Sequence, residues 1–597
     1  MKQFYIYILF SLVVNCTSAQ ISAINSTLAD LKKDTQSDES KAKDLIKLYG
    51  DILKEADPVS ATVYYGFKGY QGRWPDLSLE ARARNKTWDQ EILDLSHKIN
   101  KSTLKKEDVL NLNLIEKLTA QHISTNNYNL DLMPIDQMNG SHLMFPMLIG
   151  SINIYSKNDA DNVLRLLETL DNTIEQIIVL MKEGAKSGIT PAKIAVLPVA
   201  AQIRNIANVS AEKSPFYSVF KKLEFLTDSV EKDNYQQKAK NIIVDKINPA
   251  YLKLLSYIEN EYYSKCRENV SLSSVADGKE KYRFLVKTYT STDLTPEQIH
   301  QTGLGEVKRI KDEMADLRKQ AGFNGTEKEF NEFLRSDPQF YYSSADELLD
   351  GYRVICKRID PELIRLFGVL PRLPYGVKAI PDFMAESAPT AYYYFGSYKL
   401  GNPGCFYANT HDLKSRPKWE MEALTLHEAV PGHHFQFSVE EEIERPDFRK
   451  FVYVTSFVEG WGLYAESLGE QLGLYKDIYH KYGQLTFELW RAIRLVVDTG
   501  IHYYGWERDK AIQYFTDNSP RAIKDIQVEV DRYIAFPGQA VSYKIGQLKI
   551  MELKNSAQKE LGDKFDIRSF HDMILGSGSI PLSVLEGNVR EWVAKNK

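Results

Sequence analysis

Three of the chain's eleven histidines lie within the eight-residue segment His427-Glu428-Ala429-Val430-Pro431-Gly432-His433-His434. Two histidines four residues apart on a helix, with a glutamate directly after the first, can bind zinc and activate its water. Here the spacing is six or seven residues, which on one unbroken helix is roughly 9 to 10 Å along the axis. The histidines can therefore share an ion only if the helix breaks between them.

Pro431 and Gly432 predict such a break. Proline has no N–H to donate to the carbonyl of His427 and disfavours the helical conformation of the residue before it. Glycine adds conformational freedom at the same point. If two residues loop out, His433 becomes the second metal ligand, which is the assignment we favour. His434 is the alternative ligand, and otherwise we expect it to contact substrate.

Glu459 is the predicted third ligand. It interrupts the apolar run Phe457-Val458 within a predicted helix over Phe451–Leu472. A carboxylate in such surroundings is costly to bury without a cation or another partner. Two histidines and a glutamate suit one Zn²⁺ per chain with a position left for water, and Glu428 would then be the general base. Glu466, two turns further along, is a candidate to orient a ligand.

The surrounding pattern predicts a mainly α protein. Apolar residues recur three and four apart through most of the chain, whereas residues 375–410 alternate, are rich in aromatic residues and are divided by Pro and Gly. We expect a helical N-terminal lobe over residues 20–290 and a catalytic lobe over 291–597. The catalytic lobe would contain the small sheet (375–410) and the zinc-motif helices (419–472), and the two lobes together would form one continuous fold unit.

The start of the chain is typical of a signal peptide. Lys2 precedes an apolar run, and Thr17-Ser18-Ala19 supplies the small residues of a cleavage site, so we expect cleavage between Ala19 and Gln20. A lipid anchor at Cys16 is the less favoured alternative. No later stretch reaches the length of roughly 18 apolar residues expected of a membrane-spanning helix. An exported protein, periplasmic or secreted, without a transmembrane segment is therefore predicted.

Composition excludes some other functions. The net charge is −5, and lysine and arginine are spread along the chain rather than gathered in a patch, which argues against a nucleic-acid partner. Three cysteines remain after the signal segment and form no CxxC pair. We expect three buried thiols rather than a disulfide framework or a cysteine metal site.

The motif HEAxPGHHxQ at His427–Gln436 resembles the bacterial family of domain of unknown function 885 (DUF885). The other segments that carry the resemblance are Gly404–Thr410, Glu459-Gly460-Trp461, Asp498–His502 and Arg532–Tyr543. The interval from the histidines to Glu459 is also similar to that in the glutamate-type zinc peptidases (gluzincins) such as thimet-type oligopeptidases, carboxypeptidase Taq and angiotensin-converting enzyme.

That resemblance implies roles for further residues. The segment Cys405–Asn409 stands where a strand of those peptidases pairs with bound peptide, which makes Tyr407 and Asn409 candidate substrate contacts. His502, Tyr533 and Tyr543 are candidates to stabilise the oxyanion of the intermediate, and Arg532 to bind a substrate carboxylate. For each of these side chains the alternative is a structural role in the core.

The sequence thus predicts a two-lobed helical protein with a deep cleft, acting as a zinc-dependent peptidase on short or unfolded peptides. One alternative keeps the metal site but acts on a small non-peptide amide or ester. The other is a non-catalytic exported binding protein with a vestigial metal site. The presence of Glu428 argues against the second, because a vestigial site would be expected to lose its base before its ligands.

Overall fold

A computed structural model describes residues 18–33, 36–381, 385 and 388–597 of the chain. Within these residues the protein is mainly helical with one small three-stranded sheet, so the predicted fold class is confirmed. The predicted signal segment up to Thr17, with the candidate lipid-attachment residue Cys16, lies outside the described residues.

The α-helices of the described residues are numbered α1 to α24 in chain order. Their bounds are Ser18–Leu31, Asp38–Ala56, Pro58–Val63, Leu79–Lys98, Lys106–Asn127, Ser141–Ser151, Lys157–Lys186, Lys193–Val196, Val199–Ala207, Ser229–Ile242, Asn248–Tyr257, Gly278–Thr290, Pro296–Gln320, Glu327–Ser336, Ala345–Ile359, Met421–Glu428, His433–Glu442, Thr455–Ser467, Ile478–His502, Arg508–Asn518, Ile523–Ala535, Ser542–Leu561, Ile567–Gly576 and Leu582–Asn596. Two π-helical turns, Ile243–Ile247 and Ile258–Tyr262, flank α11.

The chain divides into two compact units. One comprises Ser271–Glu444 and Val452–Lys597, and the other comprises the described residues up to Val270 together with Arg445–Phe451. The predicted zinc-motif residues all belong to the first unit, on α16 to α18 and the turns that join them.

The sheet lies within the predicted 375–410 segment. Its strands are β1 (Tyr375–Ala379), β2 (Ala391–Tyr394) and β3 (Gly404–Ala408), in the order β1–β3–β2. β3 is parallel to β1 and antiparallel to β2. Both hydrogen-bonding edges of β3 are therefore occupied, so the expectation that this segment pairs with a bound peptide is wrong.

Helix α18 packs closely against α22, and two glycines allow this approach. A Cβ atom added at Gly460 would lie 2.5 Å from backbone of Gly546, and one added at Gly546 would lie 1.9 Å from the carbonyl oxygen of Ser456. Any side chain at either position would push the two helices apart. This crossing fixes α18, the helix that carries Glu459, against the core of the unit.

Two further expectations can be compared with the described residues. Cys266, Cys356 and Cys405 are buried free thiols, as predicted. None of the described helices combines the length and the apolar composition that crossing a membrane requires.

Candidate metal centre

The predicted helix break between His427 and His433 is present. Helix α16 ends at Glu428 and α17 begins at His433, with the bond between Val430 and Pro431 in the cis form. The intervening turn passes very close to the end of α16, since a Cβ atom at Gly432 would lie 2.0 Å from the carbonyl oxygen of His427. Only glycine fits at position 432, which gives this residue a steric role.

Trp461 holds this turn in place from the neighbouring helix α18. Its ring is completely buried, and its indole N–H donates a 2.8 Å hydrogen bond to the carbonyl oxygen of Pro431. Burial of such a large ring contributes strongly to stability, and the hydrogen bond fixes the orientation of the ring relative to the turn. The break in the helix is therefore a fixed part of the structure, two residues away from Glu459 on α18.

His427, His433 and Glu459 come together as a compact group of possible metal ligands, and they are the one such set found among the described residues. One ligand atom from each lies within 4.8 Å of the others. Glu459 Oε2 is 3.5 Å from His427 Nε2 and 3.7 Å from His433 Nε2. Ligands bound tetrahedrally to zinc at about 2.0–2.1 Å lie roughly 3.3–3.5 Å apart. The donor types and their spacing therefore fit a single zinc ion.

A carboxylate orients the first of these histidines. His427 Nδ1 is 2.8 Å from Glu466 Oε1, and Arg491 Nη2 lies 3.6 Å from the same oxygen. The His427 ring also packs against α18 at Gly462, where an added Cβ would come within 2.7 Å of the ring. With Nδ1 engaged by Glu466, Nε2 is left to face Glu459, as expected of a histidine that ligates a metal.

The electrostatics of the group reflect its burial. Burial disfavours the charged form of Glu459. The interactions with His433 and His427 outweigh this effect of burial and hold the pKa of Glu459 well below its usual range. Burial likewise opposes protonation of His427, yet its contacts with Glu459 and Glu466 raise its pKa to about 9. The buried carboxylates thus favour a cation at this position, whether a proton on the imidazole or a metal ion.

Glu428 lies beside the group and is less enclosed than its neighbours. It retains 9% of its exposure and makes no hydrogen bond with any described residue. Its charge contributes to raising the pKa of His427. A carboxylate without a competing partner next to the ligand His427 is available to accept a proton from water.

The structure distinguishes His434 from His433, although they are adjacent. His434 faces the sheet: its Nδ1 is 3.0 Å from Tyr393 Oη, and its ring centroid is 4.5 Å from that of Tyr375. Burial lowers the pKa of His434 to about 4. His433 joins the metal group, whereas His434, predicted as a ligand or a substrate contact, packs between α17 and the sheet.

The three residues predicted to stabilise an oxyanion, His502, Tyr533 and Tyr543, differ from one another in their surroundings. His502 is buried, with Nδ1 accepting from the backbone N–H of Leu272 and Nε2 2.9 Å from the carbonyl oxygen of Tyr533. The Tyr533 hydroxyl donates to Glu529 at 2.8 Å. Tyr543 is nearer the metal group: after burial, the charge of Glu459 is the main factor that raises the pKa of its phenol.

The predicted substrate contacts are also placed. Arg532 bonds to Glu529 and Gln539, so both terminal nitrogens of its guanidinium are engaged. The Asn409 side-chain amide is buried and donates to backbone carbonyls of the β1–β2 connection. The Tyr407 ring stacks on that of Tyr392 at 5.1 Å. None of these contacts brings Arg532, Asn409 or Tyr407 to the metal ligands.

Tyr453 is a site residue that the sequence interpretation missed. Its hydroxyl donates a 3.4 Å hydrogen bond to Glu459 Oε1, the carboxylate oxygen other than the one nearest the histidines. Its position six residues before Glu459, just ahead of α18, gives no periodic signal. Only the folded turn before the helix brings the phenol to the carboxylate.

A mainly α fold with a buried His–His–Glu group on three neighbouring helices, α16 to α18, defines the class of this protein. The sequence pattern of the DUF885 family, bacterial proteins of unknown function, matches residues 58–589. The chain therefore belongs to the DUF885 family. No curated protein matches it.

Two solved structures are similar to this chain. A candidate lipoprotein from Colwellia psychrerythraea is 28% identical and has a TM-score of 0.89, with 94% of this chain and 100% of that chain covered. A candidate lipoprotein of unknown function from Shewanella oneidensis is 17% identical and has a TM-score of 0.69, with 92% and 99% covered. The second comparison shows a shared fold alone.

Proposed function

We propose that this protein is a zinc-dependent peptidase in which His427, His433 and Glu459 hold the metal and Glu428 is the general base. The observation that carries the proposal is the convergence of two imidazoles and a carboxylate, 3.5 and 3.7 Å apart, beside a glutamate without a hydrogen-bond partner among the described residues. Three protein ligands with a fourth position for water are typical of catalytic rather than structural zinc sites.

The chain's own residues would divide the work as follows. Zinc, when bound, supplies a Lewis acid that polarises a scissile carbonyl and lowers the pKa of water. Glu428 accepts the proton of the attacking water and passes it to the leaving amine. Glu466 keeps His427 Nε2 directed at Glu459, and Tyr453 holds the other oxygen of the Glu459 carboxylate.

The substrate class and the location are part of the same proposal. The interval between the histidines and Glu459 resembles that of gluzincin peptidases, which supports short or unfolded peptides as substrates. The apolar start of the sequence supports export, and the lipoprotein description of the similar Colwellia psychrerythraea structure supports a lipid anchor as the alternative to cleavage at Ala19. Intact mass of the mature protein distinguishes a free N-terminus at Gln20 from a lipid on Cys16.

Replacement of Glu428 tests the catalytic part of the proposal. Glu428→Gln keeps the size of the side chain but removes the base, so kcat should fall by roughly two to four powers of ten while zinc is retained. The measurement is digestion of a peptide library followed by mass spectrometry, with metal content determined in parallel. Ester and small-amide substrates in the same assay reveal a non-peptide hydrolase.

Glu422→Gln is the matched control. Glu422 lies on the same helix and is also buried, but its carboxylate accepts the backbone N–H of Tyr475 at 2.7 Å. Its replacement should leave hydrolysis near the wild-type rate. Loss of zinc from Glu428→Gln would instead make Glu428 a ligand, and unchanged turnover would remove it from the mechanism.

A further inference from the structure

Three arginines surround one indole ring in the same unit as the metal group. The guanidinium carbons of Arg491, Arg494 and Arg521 lie 5.2, 5.0 and 3.9 Å from the ring centroid of Trp490. Arg491 and Arg494 belong to α19, and Arg521 belongs to the turn between α20 and α21. Cation–π contact with one ring brings together three charges that would otherwise repel one another.

Each of these guanidinium groups is buried but incompletely bonded. The nitrogens without a hydrogen-bond partner among the described residues are Arg491 Nε, Arg494 Nη1, and Arg521 Nε and Nη2. Buried charged donors cost several times more to leave unbonded than the net gain of an ordinary hydrogen bond. Four such donors around one ring indicate that a ligand or water completes their bonding.

The neighbouring acids do not balance the arginines. Arg494 shares Glu529 with Arg532, at 3.1 and 3.2 Å, and Arg521 Nη2 lies 3.8 Å from Glu420, too far for a hydrogen bond. Burial raises the pKa of the nearby Asp498 to about 7, so that carboxyl is only partly ionised at neutral pH. Glu466, 3.6 Å from Arg491, is the third neighbouring glutamate, so Arg491, Arg494, Arg521 and Arg532 still outnumber these glutamates by one. The cluster therefore retains positive charge, which favours an anion.

The arginines adjoin the metal group on two sides. Glu466 Oε1 contacts both His427 Nδ1 at 2.8 Å and Arg491 Nη2 at 3.6 Å. The Arg494 guanidinium lies 4.5 Å over the ring of Tyr543, which belongs to α22, the helix that packs closely against the Glu459 helix α18. An extended peptide advances about 3.5 Å per residue. A substrate bound at the metal would therefore bring a group only one or a few residues from its scissile bond to the arginines.

We propose that Arg491, Arg494 and Arg521 form a carboxylate-binding site that selects substrates with a carboxylate close to the scissile bond. The inference rests on the proposed peptidase function and deepens it. Arginine forks bind carboxylates through paired, charge-assisted hydrogen bonds, which the four unbonded nitrogens can supply. The carboxylate can be a free peptide C-terminus or an acidic side chain, and the two sources are distinguishable.

Binding tests the site without any need for turnover. The zinc-loaded full chain is mixed with Ala-Ala-Ala, with Ala-Ala-Ala amide, or with Ala-Ala-Glu amide, and the unfolding temperature is measured. A ligand that binds only the folded state raises this temperature, and the rise grows with the logarithm of the ligand concentration once that exceeds Kd. We expect stabilisation by the free tripeptide and not by its amide. Stabilisation by the glutamyl amide alone assigns the site to acidic side chains, whereas equal effects of all three peptides, or none, overturn the proposal.

Arg521→Gln sharpens the result, because its turn position leaves α19 and the metal group intact. The substitution should weaken the binding of the free-acid peptide by about tenfold to a hundredfold, the usual effect of losing one charged hydrogen bond. The affinity for the amide should not change. Arg590→Gln, an exposed arginine paired with Glu586, is the control and should change neither peptide. A similar loss for acid and amide in Arg521→Gln would mean a structural role and would contradict the site.

Hydrolysis separates this inference from the proposed function. If the wild type cleaves free-acid and amidated peptides with equal kcat/KM, the peptidase stands and the carboxylate site fails. If it cleaves no peptide at all, the proposed function fails, and the binding comparison still decides whether the arginines take a carboxylate.

Discussion

Two buried glutamates of the same unit, Glu459 and Glu488, are compensated in different ways. Glu488 Oε1 lies 2.7 Å from Lys544 Nζ and 2.6 Å from Arg309 Nη2. Although burial opposes its ionisation, these cations lower the pKa of Glu488 to about 2. Glu459 instead faces two imidazoles at 3.5 and 3.7 Å.

The difference in spacing separates an internal ion pair from a ligand set. Oppositely charged side chains that pair directly approach to hydrogen-bond distance, as Glu488 and Lys544 do. The groups around Glu459 stay at the separation of ligands that share one ion. Glu488 is therefore part of an internal ion pair, whereas the spacing around Glu459 suits groups that share a metal ion.

The largest expected effect comes from the two adjacent histidines. His433→Ala removes one of three ligands, so the protein should lose its zinc and its hydrolytic activity. His434→Ala should retain zinc, because its ring contacts Tyr375 and Tyr393 instead. Its cost should be about 0.5–1.5 kcal/mol of stability, from the loss of the buried hydrogen bond between His434 and the Tyr393 hydroxyl.

Metal content per folded chain, measured in both variants, checks this contrast. Should His434→Ala be the metal-free variant, the ligand assignment passes to His434 and the loop must be rearranged.

Lys544→Met disrupts the buried ion pair between Glu488 and Lys544. Removal of this fully buried cation takes from Glu488 one of its two cationic partners, Lys544 and Arg309, which should lower the free energy of unfolding by about 3–5 kcal/mol. Zinc content should not change. Urea denaturation measures the loss, and Lys549→Met, a surface lysine paired with Glu552, should cost no more than about 1 kcal/mol. Equal effects of the two lysine changes would contradict the role assigned to Lys544.

Glu466→Gln gives the smallest effect. The amide can still accept a hydrogen bond from His427 Nδ1 but lacks the charge, so zinc affinity should fall by about tenfold to a hundredfold. Competition with a chelator of known affinity measures this change. Glu422→Gln serves as the control, and an affinity equal to that of the wild type in Glu466→Gln would show that Glu466 has no influence on the metal.

The sequence predicted the parts of the site that depend on local chemistry. Pro431 and Gly432 predicted the helix break because their effects act within one turn, and the apolar surroundings of Glu459 marked it as a carboxylate in need of a partner. The choice between His433 and His434 stayed open, because it depends on how many residues the turn contains. In the structure His433 joins the group, whereas His434 contacts Tyr393 of the sheet.

The contacts that the sequence did not predict join distant segments of the chain. Strand β3 is central because β1 and β2 both pair with it, and periodicity carries no information on strand order. The roles suggested for His502 and Arg532 depended on resemblance, whereas in the structure backbone groups engage His502 and Glu529 with Gln539 engages Arg532. The arginine cluster joins α19 to a turn some thirty residues away, which no local pattern reveals.

The metal content of the wild-type protein shows whether His427, His433 and Glu459 bind zinc. The chain is purified, stripped with a chelator, reloaded with zinc and analysed for bound metal, with the unfolding temperature recorded at each step. We predict about one zinc per chain, as the three-ligand set requires, and a lower unfolding temperature in the stripped protein. If the folded protein takes up no zinc and has the same unfolding temperature before and after chelation, these three residues do not form a zinc site.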